Sequence, residues 1–423
     1  MRAVPCQQIA PHFRDCQRWR FVARFVGSVA RVFHDVSRSR TVLEPSQRRG
    51  RHLLRGRLLV AAPFKPFTDS PIAYVDNDGN SVAKMKSNFS DDDLKKLYRL
   101  MVLCRAIDDR GYIMVRQGRA GFLAQTAGQE AAQIGSAFML KKKDWVFTTH
   151  RELGAALTKG MTPGQLLAHV LGKDLDPSKG RNMPSHYGDG ELNIVTPSSV
   201  VGNKTPAAVG VGMAAAIRKT GQVAMCYMGD GATSEGDTLA AFNFAGVFNA
   251  PTIFALQNNQ YAISIDVKHQ TKSRTFAEKA AAFGFDGYLV DGNDVIACAE
   301  VSKFAIDKAR TGGGPTLIEF LTYRYGPHSS ADDDSRYRKK EEIELWRNTR
   351  DPIMRMRKFL TKQGLLDDTS EAKMQEEIKQ AVEEGLTEAE ASPLPAPETV
   401  FDHAYATLLP HQIDEKIEIF GHA

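Results

Sequence analysis

Four short runs constrain what this chain can fold into more than any other feature. "VAMCYM" (223–228), "TIFALQ" (252–257), "YLV" (288–290) and "TLIEFLTY" (316–323) are apolar almost throughout. A strand with one wet face alternates apolar and polar side chains, whereas a strand covered on both faces is apolar nearly end to end. Ala-rich amphipathic segments of helical period separate the four runs. Strands joined by helices of that length run parallel, with helices on both faces. The expected fold class is therefore α/β, a parallel sheet flanked by helices.

The chain ahead of these runs opens its folded part with a helix. Ser90 is placed as an N-cap with Asp91, Asp92 and Asp93 in the first turn, and Leu94, Leu97, Met101, Cys104 and Ile107 recur at helical spacing until Gly118 stops the pattern. "SSADDDS" (329–335) is too polar to pack and reads as a mobile loop, and "ASPLPAPET" (391–399) reads as a linker. No internal repeat is evident. The resulting division is a leader over 1–62, an extended arm over 63–88, one domain over 89–390, and a linker with a helical tail over 391–423.

Charge sharpens that division. The 423 residues carry a formal +5, yet residues 1–62 hold 13 Arg, no Lys and three acids, so the remainder is mildly acidic. A basic excess confined to a leader gives no reason to expect a nucleic-acid partner. The leader has the Arg-rich, acid-poor composition of a mitochondrial transit segment; the alternative, that it is not native coding sequence, fits the absence of Lys before Lys65 and is preferred. Five cysteines without a C-x-x-C pair indicate neither a disulfide framework nor a zinc site, and no apolar run has the length of a membrane span. The expected location is the bacterial cytoplasm, or the mitochondrial matrix if the chain is eukaryotic.

The chemistry concentrates in "GDGATSEGD" (229–237). Gly229 and Gly231 follow a parallel strand, at the end where ligands bind in such sheets. Bare backbone and the N–H groups of a helix start favour a phosphate. Asp230 does not, unless a divalent cation lies between them; Mg²⁺ accepts carboxylate, amide and phosphate oxygens together. The next strand ends at Gln257 and is followed by Asn258, Asn259 and Tyr261, so the Asn259 amide oxygen and the Tyr261 carbonyl are natural further ligands. Either motif alone is usually just a turn.

Together the two motifs look like the thiamine-diphosphate signature. The span from about Lys65 to about His411 resembles the alpha subunits of the decarboxylating component of branched-chain 2-oxo acid dehydrogenases, bacterial forms above all, through "GRNMPSHY", "GDGATSEGD", "NNQYAIS" and "YRYGPHSSADDDSRYR". The resemblance implies a thiamine-diphosphate-binding fold, diphosphate-binding half. It implies Mg²⁺ on Asp230, Asn259 and the Tyr261 carbonyl, with Gly231 and Ala232 amides on phosphate oxygens and Gly229, Glu235 and Ala262 alongside. In "TTHRELG", Arg151 matches a diphosphate-binding arginine between Thr149, His150 and the following turn. His150 stands where relatives often carry tyrosine. His328 matches the histidine heading the active-site loop, which assists acyl transfer. Phe122, His150, His186 and Ser199 are implied on the substrate side, with Ser199 and Val201 also along the aminopyrimidine.

The resemblance further implies an activity and partners: decarboxylation of a small 2-oxo acid and transfer of the acyl group to lipoamide. The carboxylate that activates the cofactor lies on a beta subunit in this family, so an α2β2 heterotetramer docked on a lipoyl-bearing transacylase is implied. The loop after His328 has the length seen in branched-chain relatives, which favours 3-methyl-2-oxobutanoate over pyruvate. Departures also matter. Asn203 and Lys204 occupy positions where mammalian relatives bind K⁺, so the Lys204 ammonium is a candidate replacement for that charge. Gln257 replaces an arginine, and Ser329 matches a kinase-regulated serine, although no phosphorylation is expected here.

Two rivals remain. Gly210-x-Gly212-x-x-Ala215, with Asp230 further on, superficially fits a dinucleotide fingerprint; that motif needs a strand running into its first glycine, and an Ala-rich helical stretch precedes this one. The other rival is an inactive paralogue kept as a scaffold.

Overall fold

The computed structural model describes residues 63–82, 87–402 and 405–421. The leader 1–62 therefore lies outside the described residues. In chain order the main elements are α1 (Asp91–Arg116), α2 (Glu130–Phe138), β1 (Trp145–Phe147), α3 (Leu153–Lys159), α4 (Pro163–Leu171), β2 (Ile194–Val195), α5 (Thr205–Arg218) and β3 (Ala224–Gly229). There follow α6 (Gly236–Phe248), β4 (Thr252–Asn258), a hairpin of β5 (Tyr261–Ala262) and β6 (Ile265–Asp266), β7 (Asp286–Asp291), α7 (Val295–Arg310) and β8 (Thr316–Leu321). The chain continues with α8 (Lys340–Arg350), α9 (Pro352–Lys362), α10 (Asp368–Ala391) and α11 (Pro410–Phe420).

Six strands form one parallel sheet in the order β2-β1-β3-β4-β8-β7. All four apolar runs are strands of it. Alternate residues of β3 face opposite layers: Met225 and Tyr227 join one core, Ala224, Cys226 and Met228 the other. Burial on both faces is why the run shows no polar alternation. Helices α1, α2, α3, α4, α7 and α10 surround the first core, and α5 and α6 cover the second.

Local signals hold where they are strong. Ser90 caps α1 with a reciprocal box to Asp93, and Gly118 follows the helix at φ +71°. Gly210 and Gly212 lie inside α5, with no strand running into them. A Cβ on Gly212 would stand 2.6 Å from the Thr252 Oγ1, so that glycine serves close packing of the helix on the sheet. This removes the dinucleotide fingerprint.

The arm lies along the open edge of β7: Ile72 bridges Val290 in parallel, and the Tyr74 and Val75 N–H groups donate to Asp294 Oδ2 at 2.6 and 2.7 Å. At the other end, α11 meets the rest of the tail through the Phe401 and Phe420 rings, 6.3 Å apart edge to face.

The 329–335 segment, expected to be too polar to pack, does make contacts with the rest of the chain. Its polar side chains find partners instead of solvent alone. Leu123 and Ser330 exchange two hydrogen bonds, at 2.9 and 3.1 Å, and Asp332 Oδ2 accepts the His328 N–H at 2.8 Å and the Tyr337 hydroxyl at 2.5 Å. Arg338 ties Asp334 at 2.5 Å and also reaches the backbone carbonyls of Arg324 and Gly326.

Candidate active site

Register places the two motifs side by side. Gly229 pairs with Gln257 where β3 and β4 end together, so Asp230 and Asn259 leave adjacent strand tips. Both line one cavity of about 240 Å³. The β5 hairpin that follows folds Tyr261 and Ala262 back over the same cavity. A Cβ on Gly231 would stand 2.8 Å from the Ala262 Cβ, so the chain comes near in a way only glycine permits. Asp230–Ser234 forms a 3₁₀ turn, whose first N–H groups have no partner within the turn itself.

Asp230 is 1% exposed, and among the described residues no Lys or Arg lies within ion-pair distance of it. Burial first of all raises its carboxyl above the ordinary range, while the Gln270 side chain, donating at 2.6 Å, and the more distant Arg324 act in the opposite direction. A buried carboxylate with no cation invites one. The Asn259 amide oxygen accepts from the Tyr261 N–H at a long 3.3 Å, and the Tyr261 carbonyl from Arg324 Nη1 at 3.4 Å. One carboxylate and two weakly engaged neutral oxygens suit a hard cation. This mixed set also explains why no cluster of three or more His, Cys, Asp or Glu ligands occurs among the described residues.

Across the cavity stands an anion-seeking wall. Arg151 follows β1, buried, with Nη1 on the Gln125 carbonyl at 3.1 Å and Nη2 on His328 Nδ1 at 3.1 Å and the His328 carbonyl. Arginine can only donate, so His328 Nδ1 carries a lone pair and the neutral ring holds its proton on Nε2. Burial, then Arg151 and Arg324, push the His328 pKa down to about 4. The His150 ring lies 5.5 Å from that of His328, edge to face, and is held well below its ordinary pKa by burial, then by Arg151 and His328. Both rings are neutral at pH 7.

Two buried donors, Gln129 Nε2 and Arg324 Nε, have no protein partner on residues that line this cavity. They fit a ligand rich in acceptor oxygens such as a diphosphate. Lys204 also lines the cavity and donates Nζ to the Thr148 carbonyl; burial lowers its pKa. Beside it, Asn203 Oδ1 is buried without a partner.

The sequence-predicted residues Thr149, His150, Arg151, Ser199, Val201 and Gly229 to Ala232 line the cavity, as do Glu235, Asn259, Tyr261, Ala262 and His328. Phe122 and His186 do not. His186 is a layer back, its Nε2 2.9 Å from the Ser199 hydroxyl, because the Met183–Tyr187 turn is drawn inward by the His169 ring accepting the His186 N–H at 2.9 Å. Gln257 also lines the cavity, and its amide belongs to a buried network, accepting from Gln133 at 2.9 Å and donating to Glu152 at 2.5 Å. Glu152 in turn holds Thr149, so this network fixes the turn carrying Arg151. Gln129, Glu152 and Arg324 were not nominated as site residues. For Arg324 a signal existed in "YRYGPHSS", and for the other two there was none beyond adjacency to a motif.

A carboxylate and an amide on neighbouring strand tips, opposite an arginine and two neutral histidines, mark a polar ligand site at the C-terminal end of an α/β sheet. The chain belongs to the dehydrogenase E1 component family, whose model matches residues 98–398. It is 40% identical over 319 residues to the 2-oxoisovalerate dehydrogenase subunit alpha of Bacillus subtilis (75% of this chain, 96% of that protein). It is 39% identical over 345 residues to the 3-methyl-2-oxobutanoate dehydrogenase subunit alpha of Mycobacterium tuberculosis (80% and 89%). The pyruvate dehydrogenase E1 component subunit alpha of B. subtilis follows at 38% over 334 residues (79% and 87%). Membership implies an oxidoreductase subunit that works with thiamine diphosphate and a beta subunit.

Proposed function

We propose that this chain is the alpha subunit of a 2-oxo acid dehydrogenase that acts on 3-methyl-2-oxobutanoate and its homologues and passes the acyl group to a lipoyl-bearing transacylase. The observation that carries the reading is the convergence of Asp230 and Asn259 with Arg151 and His328 on one cavity. Asp230, Asn259 and the Tyr261 carbonyl would hold Mg²⁺; Arg151, the Gly231 and Ala232 amides and the free Gln129 donor would hold the diphosphate. Thiamine diphosphate, when bound, supplies the carbanion-stabilising chemistry that decarboxylation needs. The chain's own contribution is to orient that group, to shield it from water, and to present the Nε2 proton of a neutral His328.

The partner reading has its own support. Ile217 on α5 is 77% exposed, and Phe244, Val247 and Phe248 on α6 are each more than half exposed. The rim near the cavity carries Val200 and Ile263 in the same state. Large apolar side chains exposed on α5 and α6 and at the cavity rim suit a second chain, here a beta subunit in an α2β2 assembly.

The substrate is tested by assaying the reconstituted alpha–beta complex with 3-methyl-2-oxobutanoate and with pyruvate against an artificial electron acceptor. A kcat/KM at least about tenfold higher for the branched acid is expected, a difference of the size that apolar side-chain pockets give; preference for pyruvate would overturn the assignment. The Lys204 ammonium, already bonded to the Thr148 carbonyl, is proposed to replace a monovalent cation. Activity should then be flat when K⁺ is titrated against Na⁺, and Lys204→Gln should create a K⁺ requirement. A strong K⁺ dependence of the unaltered complex would contradict this.

A further inference from the structure

Behind the cavity lies a buried carboxylate with no ion-pair partner among the described residues. Asp108, on α1, is 1% exposed, and among the described residues no Lys, Arg or His pairs with it. Its hydrogen bonds come from the backbone: the Thr126 N–H at 3.0 and 3.1 Å to the two oxygens, and the Ala127 N–H at 3.1 Å. Burying a carboxylate without an ion-pair partner is costly, and here backbone N–H groups offset that cost.

What Asp108 holds is the turn of residues 124–128. Within that turn the Gln125 carbonyl accepts the Arg151 guanidinium at 3.1 Å, and the Thr126 hydroxyl donates to the Arg151 carbonyl at 2.6 Å. The turn therefore grips Arg151 at both its side chain and its backbone. It also receives the segment leading to His328: the Tyr325 N–H donates to the Ala127 carbonyl at 3.1 Å and the Thr322 hydroxyl to the Gly128 carbonyl at 2.6 Å. Gly128, at φ +96°, leaves no room for a side chain, since a Cβ would stand 2.3 Å from the Tyr323 carbonyl.

We propose that Asp108 is a positioning residue for Arg151 and His328: ionised, it fixes the 124–128 turn so that the guanidinium faces an anionic group in the cavity. This rests on the reading of the cavity as a diphosphate site. The titratable and charged groups facing Asp108 are Glu130 and Asp109, the Cys104 thiol, the Tyr187 hydroxyl and Arg151. Burial, above all, pushes its carboxyl up to about 7; Glu130 and Asp109 add to the rise, and the Thr126 and Ala127 N–H groups oppose it. Protonation would set an O–H donor among converging N–H donors, so the grip weakens as pH falls below about 7.

The test measures thiamine diphosphate binding with Mg²⁺ to the reconstituted complex by calorimetry between pH 6 and 8. Asp108→Asn should bind about tenfold or more weakly than wild type and should lack the part of the pH dependence that the Asp108 carboxylate contributes. Thr126→Val, which cuts only the hydroxyl link to Arg151, should also bind more weakly while keeping that pH dependence. A cofactor-free readout follows from linkage. A carboxyl raised in the folded state contributes stability below its ordinary value that is lost as pH rises through about 7, so the Tm of wild type relative to Asp108→Asn should fall from pH 4 to pH 8. Wild-type binding matched by Thr126→Val and by any folded Asp108→Asn, at every pH, would overturn the proposal. Failure of the wild-type complex to bind at all would instead refute the diphosphate reading, and this inference with it.

Discussion

Asp230→Asn is expected to abolish turnover by the reconstituted complex, with a loss of about a thousandfold or more. The substitution keeps the shape of the side chain and removes the one formal negative charge on the adjacent strand tips that face Asn259 and the Tyr261 carbonyl. Neutral oxygens alone bind Mg²⁺ poorly against its hydration shell. If these residues hold a metal and a diphosphate, a loss of several kcal/mol of transition-state stabilisation would give a rate effect of about that size. The folded chain itself should be unharmed, because the buried carboxylate has no ion-pair partner to lose. Thermal melts make the check: Mg²⁺ and thiamine diphosphate together should raise the wild-type Tm, by about 2.7 kcal/mol of linkage at a hundredfold excess over Kd. Asp230→Asn should show no such shift. A variant that retains both the shift and the turnover would remove Asp230 from the site.

The second large effect is expected at His328. Its Nδ1 is committed to Arg151, and its pKa lies near 4, so the ring is neutral across the working range and offers an Nε2 proton to the cavity. His328→Asn should lower acyl transfer by about 10² to 10³, the range for a lost proton-transfer or donor group, with a smaller change in KM. Wild type should show no activity limb near the ordinary histidine value from this residue. The stability sign runs opposite to that of a paired histidine: the folded pKa is depressed, so the contribution is present above the ordinary value of 6.5 and is lost as pH falls toward about 4. His328→Asn should lack this acid-side loss, as melts from pH 7 to pH 4 can show. Unimpaired acyl transfer by the variant would leave His328 a structural residue.

Part of this was readable in the sequence. Both faces of β3, β4 and β8 are covered, so their runs are apolar without alternation and announce a parallel sheet. The Ser90 box and the glycine-flanked Asp230 are likewise local patterns with local causes. The three-residue β1 and two-residue β2 are not legible in the sequence, because so short a stretch has no periodicity. The polarity of the loop after His328 does not reveal that Asp332 and Asp334 find partners in Tyr337 and Arg338, because those pairs form only once the loop folds back on the chain. His186 and Phe122, which the resemblance puts on the substrate side, do not line this cavity; His186 sits behind Ser199, which does.

By itself, then, the sequence determined the four apolar strands of the sheet, the first helix, and which residue types could hold a metal and a diphosphate, because those depend on burial pattern, on the period of 3.6 and on side-chain chemistry within a few positions. Only the tertiary structure decided that Asp230 and Asn259 stand side by side on one cavity, that Arg151 reaches His328, and that Gln129 and Arg324 are left with free donors there. Those relations depend on the strand order β1-β3-β4-β8 and on the crossovers that set it. No pattern along the chain records which strand tip becomes the neighbour of which.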